Sequence, residues 1–199
     1  MELHYTGYTS KKERITIEEG KTAKLTGSLS RIPSEDAEIA GKTAEQIRSI
    51  AYNYHEGKGG KSVDYAKAMK YYRIAVERGN TTAMVNIGYM YNNGQGVEID
   101  YIEAMKWYRK AAEQGLAMGQ NNLGYMYDMG YGVTKDYIEA VRWYRKAAEQ
   151  GNSNAQYNLG LCYQYGKGVS IDLTQAKYWY EKAAAQGNED AKKKLEELK

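Results

Sequence analysis

Residues able to do chemistry are few in this chain and poorly spaced for it. Two histidines, His4 and His55, and one cysteine, Cys162, are the only imidazole and thiol groups. A structural zinc site needs four ligands in closely spaced pairs, which this set cannot supply, so no metal is expected. Cys162 sits in the apolar stretch Leu161-Cys162-Tyr163, which suits a buried structural thiol better than a nucleophile. Gly60-Lys61-Ser62 has the ending of a phosphate-binding loop. The full pattern needs a glycine where His55 stands and a strand where the periodicity is helical, so the triplet reads as a turn. Carboxylates are plentiful, but they fall at helix starts or among lysines and arginines on solvated faces. No base, nucleophile and oxyanion donor come together, so the expectation is a protein that is not an enzyme and carries no cofactor.

Composition narrows the alternatives. The net charge of +3 is too mild, and the basic residues too scattered, for a nucleic-acid partner. Lys192-Lys193-Lys194 reads as a solvated helix face. One cysteine excludes an intramolecular disulfide and fits a reducing compartment. The first residues lack the pattern of a signal peptide and no run reaches membrane-spanning length, so a cytoplasmic protein without a membrane partner is expected. The 21 tyrosines against no phenylalanine suit thin layers, where a ring is buried while its hydroxyl reaches water or a carbonyl.

The elements that must position these side chains are set by a 36-residue period. Gly79 to Gln114 and Gly115 to Gln150 agree at about 22 of 36 positions, and the columns continue through Gln186. Such self-similarity marks a solenoid, whose units bury their apolar faces by stacking. Within one unit, Ala83, Ile87 and Tyr91 form a helical stripe. Gly88, repeated as Gly124 and Gly160, predicts close approach of a neighbouring helix. Asn93-Gly94-Gln95-Gly96-Val97 is a turn. Asp100…Glu103 and Asp136…Glu139 have capping-box spacing and open a second helix, with Asp172…Gln175 as the amide form. Ala104, Trp107, Tyr108 and Ala111 form that helix's packing stripe.

These residues resemble the Sel-1-like repeat, a relative of the tetratricopeptide repeat. The pattern is clearest as Ala155, Leu159, Gly160, Tyr163, Gly166, Gly168, Val169, Asp172, Ala176, Trp179, Tyr180, Ala183, Ala184 and Gly187. The resemblance implies an all-α, right-handed α/α solenoid of about four helix-turn-helix repeats over residues 43–187, with a capping helix at 188–199. The first repeat departs from the pattern, with Ala51 for the glycine and Tyr71 for the tryptophan. Residues 1–42 do not repeat. Within them, 13–26 reads as a small β-hairpin and 34–40 as one helical turn, with a disordered leader as the alternative.

The resemblance further implies that the first helix of each pair lines a concave groove. The candidate partner-binding residues are Arg48, Tyr52 and His55 from unit one and Val85, Tyr89 and Asn92 from unit two. Units three and four add Asn121, Tyr125, Asp128, Tyr157 and Gln164. Asn86, Asn122 and Asn158 make a neighbouring ladder that serves either the repeat's packing or the backbone of a bound peptide. The expected function is a non-catalytic scaffold or adaptor holding a protein or peptide, including the case of inhibiting a partner enzyme. The alternative is a binder of a small molecule, nucleotide or glycan in the same Tyr/Asn-lined groove. Self-association is open.

Overall fold

The computed structural model describes residues 36–198. The chain divides into two compact units, 1–42 and 43–199. In the first, the described residues form a turn in which the Ile39 and Ala40 amides donate to the Asp36 carbonyl at 2.8 and 3.1 Å. The hairpin expected over 13–26 lies outside the described residues.

The second unit is helical throughout its elements. It runs α1 (Ala44–Glu56), α2 (Tyr65–Glu77), α3 (Thr81–Asn93), α4 (Tyr101–Glu113), α5 (Ala117–Met129), α6 (Tyr137–Glu149), α7 (Ser153–Tyr165), α8 (Leu173–Ala185) and α9 (Glu189–Glu197). Each helix packs on the next in chain order, which is the α/α solenoid that the period predicts. Ala83, Ile87, Met90, Ala104, Tyr108 and Ala111 form the core of one pair, and the corresponding residues recur in the others.

Three devices hold pairs and repeats together. The first is the helix-interior glycine. A methyl at Gly88, Gly124 or Gly160 would fall 2.7, 2.8 or 2.5 Å from the ring of Tyr108, Tyr144 or Tyr180 on the second helix. The expected close approach is therefore an aromatic ring lying on bare backbone. The second is Gly132 in the turn after α5. Its φ of +68° is open chiefly to glycine, and a methyl there would lie 2.5 Å from the Tyr101 carbonyl of the preceding repeat. The third is a polar ladder between repeats. Arg73, Arg109 and Arg145 donate to the hydroxyls of Tyr91, Tyr127 and Tyr163 at 2.9, 3.0 and 2.8 Å.

Capping departs from the reading in one respect. Asp64, Asp100, Asp136 and Asp172 each accept the amide three residues on, as N-caps should. The reciprocal half of the expected boxes is not made. Glu103 and Glu139 accept instead from Lys106 at 2.9 Å and Arg142 at 2.7 Å, because a cation one turn ahead competes with the cap amide. A full box forms at Thr43 and Gln46, at the start of α1.

Candidate interaction surface

The first helices, α1, α3, α5 and α7, each turn one stripe away from the packed interior. Along that stripe Tyr89 is 48% exposed and Tyr125 41%, with Met118 and Met129 beside Tyr125 and Tyr165 on α7 also exposed. Tyr52 and Leu161 complete the column and are half-buried. Burial first, and then the nearby Tyr131, hold the Tyr125 hydroxyl above its ordinary range, so it is a neutral donor at physiological pH. Tyr131 itself stacks on Tyr101 with centroids 4.6 Å apart and meets Tyr125 edge-on at 6.0 Å. Three tyrosines from two repeats thus form one aromatic cluster.

The other candidates lie deeper. His55, Val85 and Asn121 are buried, while Arg48, Asn92, Asp128, Tyr157 and Gln164 are half-buried. Arg48 pairs with Glu45 one turn back on α1. The column His55, Asn92, Asp128, Gln164 faces the second-helix tyrosines and the next turn. Tyr180 donates to Gln164 Oε1 at 2.6 Å, and Tyr144 reaches Asp128 Oδ2 at 3.4 Å. His55 Nε2 lies 2.7 Å from Gln95, and Lys167 donates to Asp128 at 3.3 Å, each across a repeat junction.

At the central junction this tie is missing. The residue corresponding to Gln95 and Lys167 is Tyr131, committed to its stack on Tyr101, and Asn92 Oδ1 is left buried without a hydrogen-bond partner. The asparagine ladder breaks in the same repeat. Asn158 donates to Asn121, and Asn121 to Asn122, each at 3.1 Å. Val85 stands where Asn121 would be, so Asn86 Oδ1 has no such donor. An unpaired buried carbonyl costs about 1–3 kcal/mol, which makes α3 the locally unsatisfied element of the stripe.

Sequence reasoning named Tyr52, Tyr89 and Tyr125 and left out two exposed side chains on the same stripe. Met129 and Tyr165 are both exposed one residue before the turn glycine, next to the inward-facing Asp128 and Gln164. The signal was present in the 3.6-residue helical step, since positions four after Tyr125 and Leu161 share their face. Cys162 is buried, and burial pushes its thiol up to about 12, as befits a structural residue. Among the described residues no cluster of three potential ligands could hold a metal, and no helix is long and apolar enough to cross a membrane. Two clefts of 440 and 480 Å³ lie along α8 and α9, on elements outside the tyrosine stripe.

The repeat fold that carries this surface is shared with known proteins. A protective antigen of uropathogenic Escherichia coli with an SLR fold superposes with a TM-score of 0.69 at 43% identity, over 74% of this chain and 32% of that one. A Sel1 repeat protein from Oxalobacter formigenes gives 0.71 at 40%, over 77% and 62%. Helicobacter pylori cysteine rich protein B gives 0.52 at 31%, over 67% and 97%. The chain therefore spans about a third and under two thirds of the length of the first two. A search of curated proteins returned no match. Sel1 repeat proteins are in general scaffolds for protein interaction and typically non-catalytic. The Sel1 repeat model matches residues 48–80, 81–116, 117–152 and 153–188, so the chain belongs to the Sel1 repeat family.

Proposed function

We propose that this protein is a non-catalytic scaffold that holds a protein or peptide on the groove face of its first helices. The observation that carries the reading is the exposed run Tyr89, Met118, Tyr125, Met129 and Tyr165 on consecutive repeats. A folded protein leaves isolated apolar residues in water freely, but a contiguous run of tyrosine and methionine is the composition of a docking surface. Tyrosine supplies large area at low entropic cost, and methionine adapts to the shape it meets. The ion pairs and hydrogen bonds beneath, from His55 to Gln164, hold the first helices in register so that the run is presented rigidly. Arg48 and Tyr52 extend the face into repeat one, and Tyr157 into repeat four. Holding a partner enzyme in an inactive state is one form this scaffold role can take.

The small-ligand reading is weaker on geometry. Small molecules favour concave sites that surround them. The tyrosine run is a stripe spread over three repeats, and the two clefts lie elsewhere.

Affinity capture from the source lysate, comparing wild type with Tyr89→Ala/Tyr125→Ala, tests the proposal. The variant should keep its helical circular dichroism and lose no more than about 1 kcal/mol of stability, because both side chains are close to half exposed and lie outside the core. A protein retained by wild type and lost by the folded variant is the expected result. Equal retention by both would sink the groove assignment.

A further inference from the structure

One exposed position carries a side chain that its own backbone can attack. Asn93, the last residue of α3, precedes Gly94, and no other asparagine in the sequence is followed by glycine. Without a Cβ on Gly94 to crowd it, that amide nitrogen can close on the Asn93 side-chain carbon. The turn demands the glycine, because its φ is +67° and a methyl there would lie 2.9 Å from Ile99 Cγ1. In repeats three and four the corresponding residues are Met129 and Tyr165, which have no amide to lose. Asn80, Asn152 and Asn188 are spent as helix caps, each accepting the amide three residues on.

Two bonds restrain Asn93 in the folded chain. Its Nδ2 donates to the Tyr89 carbonyl at 2.9 Å, and the Gly94 amide donates to the Met90 carbonyl. Reaction therefore waits on opening of the last turn of α3. The ends of α1, α5 and α7 are tied down, His55 to Gln95, Asp128 to Lys167 and Gln164 to Tyr180. Asn92 stands in the same column with its Oδ1 unpaired, and its Nδ2 donates to Asn93 itself, at 3.4 Å. Because Gln95 is held to His55, the opening is confined to Asn92, Asn93 and the Gly94 peptide.

We infer that Asn93 is a site of spontaneous deamidation whose product regulates the docking stripe. The Gly94 nitrogen gives its proton to water and attacks Asn93 Cγ; the Cγ–Nδ2 bond breaks, and ammonia leaves. Water then opens the cyclic imide at either carbonyl, giving aspartate or isoaspartate. In sum a water is consumed and an ammonia released, and nothing is oxidised or reduced. Asn93 lies one helical turn after Tyr89 on the same face, and α3 otherwise has no charged residue. The new carboxylate cannot donate to the Tyr89 carbonyl and is opposed by the helix C-terminus, so it turns to solvent beside Tyr89. A partner covering the stripe must then bury an unpaired charge. That consequence rests on the groove reading; the chemistry at residue 93 does not.

Ageing the full chain in mildly alkaline buffer, with ion exchange and peptide mass spectrometry, tests the chemistry without any partner. A species one charge below the +3 of the fresh chain should accumulate, with its change at residue 93, and Asn93→Ser should abolish it. Tyr131→Lys, which gives Asn92 the donor that Lys167 gives Asp128, should slow it several-fold. Conversion at Asn93 no faster than at Asn152 overturns the inference, and a rate unmoved by the lysine overturns the role of the loose helix end. In the capture assay, Asn93→Asp should retain several-fold less of the groove-bound protein than Asn93→Ser, both being equally helical. Equal retention by those two, with loss by Tyr89→Ala/Tyr125→Ala, overturns the regulation and spares the groove. Equal retention by the tyrosine variant and wild type sinks the groove reading, and leaves the ageing result to decide the chemistry.

Discussion

At the scale of single residues, the space over Gly124 tightly constrains the interior of α5. Its ideal methyl position lies 2.8 Å from Tyr144 and 3.1 Å from the Ala140 carbonyl, so any side chain must displace a buried ring or backbone. Gly124→Ala gains about 1 kcal/mol of helix propensity and loses more to overpacking, for a net loss of about 1–2 kcal/mol. Chemical denaturation would measure this, and an unchanged or raised midpoint would show that the helices can part at low cost. Repeat one already carries alanine at this column, as Ala51, and accommodates it fully buried. The glycine column was legible in the chain as a recurrence. What pressed on it was not, because an aromatic ring from the second helix and a backbone from the next repeat leave the same trace.

At the scale of elements, the second helices are started by an aspartate whose partner acts elsewhere. Asp136 accepts the Glu139 amide at 3.0 Å, while the Glu139 carboxylate turns to Arg142. Asp136→Ala should therefore cost about 1 kcal/mol. Glu139→Ala should cost no more than a few tenths, since it removes one exposed ion pair of ~0.3–0.5 kcal/mol. Equal losses in thermal melts would mean that the reciprocal bond forms in solution. Spacing alone predicted both halves of the box. Competition from a cation one turn away decided the second half, and that depends on rotamers which spacing does not specify.

For the whole molecule, the shared feature of the four repeats is a buried tyrosine on each second helix. Burial raises the hydroxyls of Tyr72, Tyr108, Tyr144 and Tyr180 above their ordinary range, and raises Cys162 from 9.0 to about 12. A group whose folded value is raised gives its full stabilisation below the unfolded value, and loses it as pH climbs toward the folded one. Stability should thus be level in pH up to about 9 and fall steadily toward about 12. Denaturant midpoints between pH 7 and 11 would check this. A flat profile would show these groups titrating in water. The thiol should likewise resist alkylation in the folded protein and react once it is unfolded.

The sequence by itself determined the period, the helix pairs, the turn glycines, the N-cap aspartates and the tyrosine column. Each of these is written in local spacing, which a helix converts directly into a face. The tertiary structure alone decided which polar residues are spent inside. His55, Asp128 and Gln164 share a helical step with exposed neighbours. Their partners, Gln95, Lys167 and Tyr180, come from a neighbouring repeat or the opposing helix, and only stacking brings those within reach. The exposed border at Met129 and Tyr165 follows from the same fact, because turning one residue inward at the end of a helix turns the next one out.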